Sequence, residues 1–302
     1  MVESNKGILL ESGTNELEII EFEVNQNKYG INVIKVKEII MPAHVTIIPN
    51  AHPFVEGIIQ LRGEVLPVVN MRKVLKSQEQ TYCANEKFIV TEFNQQKIVF
   101  HVDNVSKIHR ISWERIEKPS DLYSSQSNEI VGVIKQDQDM ILMLDFEKII
   151  TEINPNINIK VAEVKKLGKR ERSNKRIVLA EDSALLRGLL EETLNEAGYE
   201  QVQFFENGRE AFAYLDSLLK EGKRITEEVQ LVITDIEMPQ MDGHHLTKKI
   251  KETNDMNDLP VIIFSSLITD TLRHKGEIVG ADAQVSKPEI NELIKYIDAL
   301  IL

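Results

Sequence analysis

The sequence holds one cysteine in 302 residues, Cys83. A lone thiol forms no internal disulfide and offers no pair for a Cys-only metal site, so the chain reads as a protein of the reducing cytoplasm. Long apolar runs are missing as well. The opening stretch MVESNKGILLESGTNELEII strings together at most three apolar residues. It contains neither a signal-peptide core nor a spanning segment, and insertion into a membrane is not expected. No Gly-rich phosphate cradle is present, since neither GxGxxG nor GxxxxGK[ST] occurs. Nucleotide hydrolysis and dinucleotide-dependent redox chemistry therefore lack their parts. GxSxG is absent too, which removes the serine-hydrolase elbow. Positive charge is in deficit, with 36 Lys+Arg against 48 Asp+Glu and a net charge of −12. The deficit is concentrated in residues 177–302, where 12 basic residues face 24 acidic ones. Such a body repels phosphate backbones. The one basic stretch, KLGKRERSNKR at 166–176, carries no interleaved aromatics. Nucleic acid is thus not an expected partner, and the stretch reads as a solvated linker.

What remains is ordinary globular composition, 42% hydrophobic and 28% charged, over a length that exceeds one core. Two domains of roughly 120 to 170 residues follow. The first half is written in short, often alternating apolar runs, among them LEIIEFEVN, KYGINVI, VEGIIQLRG, EVLPVVN, KFIVTEFN and MILMLD. Turn formers such as Asn25-Gln26-Asn27 and Arg62-Gly63-Glu64 separate them. This is the pattern of many short strands closing into one or two small barrels. Only MRKVLK after Asn70 and DFEKIITEI from Asp145 read as helical, the second closing the domain. The pattern predicts a tail at 1–14, a β domain at 15–152, a linker at 153–175 and a second domain at 176–302.

In that second domain the language changes. RIVLAED, LVITDIEMP, LPVIIFSS and AQVSKP are short apolar strands alternating with helical segments such as SALLRGLLEETLNEAG. Runs too apolar to face water on either side predict a doubly wound parallel sheet covered on both faces. Ligands of such sheets bind beyond the C-terminal strand ends. Glu181-Asp182, Asp235, Ser265 and Lys287-Pro288 fall at those ends. Any one of these residues alone is an ordinary helix cap or surface charge. Together, three converging carboxylates call for a cation, and an all-oxygen set suits Mg²⁺. With Asp235 as nucleophile, Glu181 and Asp182 on the metal, and Lys287 and Ser265 on phosphoryl oxygens, the group is equipped to accept a phosphoryl. His52, His101, His109, His244 and His245 show no metal-ligand spacing, and the adjacent pair His244-His245 is expected to be exposed on its helix.

The ED pair Glu181-Asp182, the TDIEMPQMDG block around Asp235, Ser265-Ser266 and the SKP at 286–288 make residues 176–302 resemble a response-regulator receiver domain. The resemblance implies a five-stranded flavodoxin-like sheet and phosphorylation of Asp235 by a phosphohistidine. It further implies Mg²⁺ held by Glu181, Asp182, Asp235 and the backbone carbonyl of Glu237, with a peptide bond before Pro288 that is commonly cis. Two departures stand out. SLLKEGKRITEEVQ is a longer connection than usual, and Gln284 occupies the position where many receivers carry a switching Tyr or Phe.

VEGIIQLRGEVLPVVNMR, preceded by KVKEII and the Pro42 and Pro49 segment, makes residues 15–152 resemble the CheW chemotaxis coupling domain. That implies paired five-stranded barrels without a catalytic site, binding the histidine kinase CheA on one face and chemoreceptor tips on another, with Arg62 and Gly63 among the contact residues. Coupling domain followed by receiver is the CheV architecture. The resemblance therefore implies a non-enzymatic adaptor at membrane-anchored receptor arrays, its coupling modulated by phosphorylation of Asp235. The alternative is a phosphate sink that drains phosphoryl groups from CheA.

Overall fold

A computed structural model describes residues 15–77, 85–93, 96–117, 129–136, 139–154 and 170–301. Cys83, the first 14 residues and positions 155–169 of the expected linker lie outside the described residues.

Eleven strands make up the first half: β1 (Glu16–Val24), β2 (Asn27–Asn32), β3 (Val36–Ile40), β4 (Val55–Leu61), β5 (Glu64–Asn70), β6 (Lys87–Phe93), β7 (Gln96–Val102), β8 (Asn104–Ser112), β9 (Ile116–Glu117), β10 (Ile130–Lys135) and β11 (Met140–Leu144). They form two sheets, ordered β8-β1-β2-β11-β10-β9 and β3-β6-β7-β5-β4. The expected pair of five-stranded units is present, with the two-residue β9 added at an edge. Two tight hairpins follow from turn chemistry. Val24 pairs with Asn27 across Asn25-Gln26, and Leu61 pairs with Glu64 across Arg62-Gly63. All four loop residues have positive φ, as the primed two-residue turns require. Between the sheets, Phe22, Phe93, Phe100 and Phe146 pack ring against ring within one buried cluster. Phe146 opens the helix that closes this half. Here α1 is Met71–Val74 and α2 is Phe146–Ile153, the latter started by Asp145, whose carboxylate accepts the Lys148 N–H at 2.9 Å.

The second half contains β12 (Ser173–Ala180), α3 (Ala184–Glu196), β13 (Tyr199–Phe205), α4 (Gly208–Lys220), α5 (Ile225–Glu228), β14 (Leu231–Thr234), α6 (Gly243–Glu252), β15 (Val261–Ser265), α7 (Asp270–Ile278), β16 (Ala283–Ser286) and α8 (Ile290–Leu300). The strands are all parallel in the order β13-β12-β14-β15-β16. Alternate residues of β12 serve opposite faces. Ile177 and Leu179 pack with Leu190 and Leu194 of α3 and Ile294 and Ile297 of α8, while Val178 and Ala180 join Leu215 of α4 and Leu246 and Ile250 of α6. Two-sided burial explains why these strands read as unbroken apolar runs. The long connection after α4 is fastened through the buried Ile225 and Val229.

Two sequence expectations need correction. The described end of the basic stretch is not free linker, because β12 begins at Ser173, and Arg170 pairs with Asp298, Arg172 with Glu200 and Arg176 with Glu228. The excess acid of the second half attracts it. His244 is not exposed but buried, at 1% accessibility. It shares the inward face of α6 with Thr247 and Ile250, and burial pushes its imidazole pKa down to about 3.

Candidate functional site

Strand order places the site. The chain leaves β12 in one direction to β13 and in the other to β14, so a crevice opens beyond the C-terminal ends of β12 and β14. Glu181 follows β12 directly and Asp235 follows β14. The loop after β12 is held from behind. Arg187 of α3 donates to the backbone carbonyls of Glu181 and Asp182 at 2.7 and 2.8 Å, and Ser183 caps α3. Ser183 N–H also donates to Glu181 Oε1 at 3.2 Å. Asp235 is pinned through both oxygens: Oδ1 accepts the Ile236 N–H at 2.6 Å, and Oδ2 accepts from Lys287 Nζ at 3.0 Å. Lys287, delivered by β16 and followed by a cis bond to Pro288, also donates to Glu181 Oε2 at 2.8 Å.

Glu181, Asp182 and Asp235 each present an oxygen within 4.8 Å of the others. Burial and mutual repulsion show in their acidities. Glu181 is pushed up to about 8 chiefly by burial, with Asp235 and Glu147 adding to it, and Asp182 is raised well above the usual carboxylate range by burial and by Glu181. Burial opposes the charged form of Lys287, but Asp235, Glu147 and Glu181 outweigh it and hold the ammonium protonated. Lys287 pairs with Glu181 and Asp235 and leaves Asp182 without an ion pair to it, and the donor set is all oxygen. Those properties fit a hard divalent ion such as Mg²⁺, which keeps several waters and accepts a few carboxylates.

Of the residues expected from the sequence, Glu181, Asp182, Asp235 and Lys287 converge. Ser265 ends β15 at 1% exposure, with its Oγ accepting the Leu267 N–H at 3.3 Å. The side chain of Glu237 turns to the first half of the chain, where Lys35 and Asn32 bind it. Arg62 and Gly63 lie elsewhere, at the β4–β5 hairpin tip. Gln284 is buried, and its amide nitrogen donates to the Arg273 carbonyl at 2.7 Å. A Cβ on Gly276 of α7 would lie 2.3 Å from its amide oxygen, so the side chain fills the space above that glycine.

The first half of the chain contributes side chains that no sequence pattern marked. Lys35, in a short 3₁₀ turn after β2, forms an ion pair with Glu237. Burial lowers its pKa, but Glu237, Glu147 and Asp235 outweigh that and leave it raised. Glu147, in the first turn of α2, accepts from Ser266 Oγ, and its other oxygen stands 3.7 Å from Lys287 Nζ. Asn15 donates to the Gln240 carbonyl at 2.8 Å and accepts the Asp242 N–H at 3.2 Å, while Gln240 N–H donates to the Trp113 carbonyl at 3.0 Å. No motif signalled these residues, because a Glu or Lys on a short amphipathic element reads as a solvent-facing charge.

Comparison with known proteins separates the same two halves. The CheW-like domain model matches residues 18–154, and the response regulator receiver domain model matches residues 177–298. The chemotaxis protein CheV3 of Helicobacter pylori is 28% identical over 299 residues, 95% of each chain. The chemotaxis protein CheW of Thermotoga maritima is 32% identical over 142 residues, 46% of this chain and 90% of its own. A crystal structure of the scaffolding protein TtCheW from Thermoanaerobacter tengcongensis is 28% identical, covering 43% of this chain and 89% of that one at a TM-score of 0.41. The chain belongs to the CheW-like family, and its coupling domain is followed by a response-regulator receiver in the CheV arrangement.

Proposed function

We propose that the protein couples chemoreceptors to the histidine kinase CheA and that phosphorylation of Asp235 sets the strength of this coupling. The observation carrying the proposal is the buried Lys287 ammonium bridging Glu181 and Asp235 beside Asp182. Among the described residues, the coupling half holds no comparable group of metal ligands. In the proposed reaction an Asp235 carboxylate oxygen attacks the phosphorus of a kinase phosphohistidine. The new O–P bond replaces the P–N bond, and the departing imidazole nitrogen keeps the electron pair and takes up a proton. Glu181, Asp182, Asp235 and the Glu237 backbone carbonyl are the residues that would hold Mg²⁺, whose charge neutralises the transferring oxygens when bound. Lys287 balances charge at one phosphoryl oxygen and the Ser265 hydroxyl reaches another. The expected domains at 15–152 and 176–302 each extend slightly, since α2 runs to Ile153 and β12 begins at Ser173.

The test is a reconstituted array of receptors and CheA, comparing the intact protein with Asp235→Asn and Asp235→Ala. Asp235→Asn is expected to fold, to support array formation and to take no label from phosphorylated CheA. Kinase output should then no longer respond to phosphorylation of the bound protein. Labelling of Asp235→Asn at the wild-type rate would remove the acceptor assignment. Output that tracks only competition for phosphoryl flux would favour the sink.

A further inference from the structure

Asp235 is recessed from bulk solvent. It faces a cavity of about 60 Å³ whose far wall is the coupling domain, including Asn32, Lys35 and Glu147. Asp235 itself is 5% exposed. While the two halves are joined in this way, the coupling domain leaves little room over Asp235 for a kinase domain presenting a phosphohistidine.

The wall also has a specific chemistry. The Glu147 carboxylate accepts from Ser266 and stands at ion-pair distance from Lys287. A phosphoryl group on Asp235 would have oxygens in this same polar space, between the β15 end and the Lys287 ammonium. The charge agrees with the position. Burial pushes Glu147 up, yet Lys287, Lys35 and the Ser266 hydroxyl outweigh it, so the group stays a carboxylate. Asp145, one residue before α2, fixes the start of the helix that carries Glu147 into the site.

We propose that Glu147 is a built-in stand-in for the phosphoryl group: while the coupling domain is docked it pairs with Lys287, one of the phosphoryl-binding donors, and with Ser266 next to the other, and phosphorylation of Asp235 expels it and separates the two halves. The proposal rests on the reading of Asp235 as the acceptor. A phosphoryl group adds roughly −1.5 to −2 charge and three acceptor oxygens. It therefore competes with Glu147 for Lys287 and repels the carboxylate. Linkage makes the effect reciprocal. Whatever factor docking subtracts from phosphoryl affinity, phosphorylation subtracts from docking. Separation uncovers Asn32 and Lys35 on the coupling domain and Glu237 on the receiver, which hold each other in the docked chain.

Two measurements on the full-length chain test this. In the first, Asp235 is labelled from phosphoramidate with Mg²⁺ present. Its P–N bond breaks as the O–P bond forms, and ammonia leaves with the nitrogen electron pair and a proton. Glu147→Ala is expected to label about tenfold faster than wild type, within the range of ordinary coupling factors. Glu147→Gln, which keeps the Ser266 contact without the charge, should fall between. In the second, wild-type protein is mixed with Mg²⁺ and beryllofluoride and followed by small-angle scattering. Emission of Trp113, the sole tryptophan and 7% exposed when docked, is read in parallel. The radius of gyration should rise and the emission shift red, with neither change in Asp235→Asn. Equal labelling of wild type and Glu147→Ala, or a beryllofluoride complex as compact as the free protein, overturns the stand-in and leaves the acceptor assignment intact. Wild-type labelling of Asp235→Asn instead overturns the acceptor.

Discussion

At the scale of single residues, the site is a group of like charges held together by one buried lysine. Lys287 cannot neutralise Glu181, Asp182 and Asp235 together, and burial first, then the neighbouring carboxylates, hold the pKa values of Glu181 and Asp182 above the usual range. Because these folded-state values lie above the unfolded ones, their protonation stabilises the fold fully below the unfolded pKa. That contribution is lost as pH rises through the folded value, for Glu181 from its ordinary 4.5 toward about 8. In the presence of a chelator, urea unfolding should show receiver stability falling across this window by up to about 5 kcal/mol. Saturating Mg²⁺ should flatten the slope, because a bound cation makes the charged forms welcome. Glu181→Gln should flatten it without metal. An identical pH slope for wild type in chelator and in Mg²⁺ would contradict this account.

At the scale of elements, each site residue depends on how a strand hands over to a helix. Gly243 begins α6 directly against the acceptor loop, and a Cβ there would lie 1.9 Å from the Asp235 carbonyl oxygen. Backbone cannot yield as a flexible side chain can. Gly243→Ala is therefore expected to cost about 2 kcal/mol or more in unfolding and to lose most labelling at Asp235. Gly188, with nothing near its missing side chain, is the control and should tolerate alanine with no loss of labelling. The handover points were legible in the sequence. Apolar runs ending in ED, TD, SS and SKP announce parallel strands, and the strand-end rule gathers their polar residues at one edge. The Arg62-Gly63 and Asn25-Gln26 turns were equally plain from their composition. His244 was not, because a helix with two adjacent histidines gives no sign of which one faces in. The reach of Glu147 was hidden for a different reason. FEKIITEI shows which face of α2 is apolar, but nothing in it says that the polar face meets another domain.

At the scale of the whole molecule, the two halves divide the labour. Among the described residues no helix is long and apolar enough to cross a membrane. The proposed contact surface at the β4–β5 tip is far in the fold from the acceptor. Arg62 is 79% exposed there and pairs with Glu38 at 2.9 Å. An exposed pair of this kind contributes at most about 1 kcal/mol. Arg62→Glu should accordingly melt within a few degrees of wild type while entering receptor–kinase arrays poorly in co-sedimentation. Unaltered incorporation would move the interface elsewhere. The same variant should keep its labelling at Asp235, since charge at the hairpin tip has no contact with Lys287.

The parallel pairing of β2 with β11 also governs the order in which the molecule is made. Tyr29 lies opposite Leu142, and Glu16 opposite Ser112, so the β1–β2 hairpin leaves the ribosome long before the second partner of either strand exists. The receiver sheet has no comparable delay, with Ile177 opposite Val202 and Leu231. Pairings so distant in sequence fold slowly. The coupling half must therefore remain open until its last strand is translated, and α2 follows that strand directly. The segment bearing Glu147 is thus among the last parts of that half to find its place, so a nascent chain arrested before β11 should expose β1 and β2 to protease, whereas one arrested after α2 should protect them.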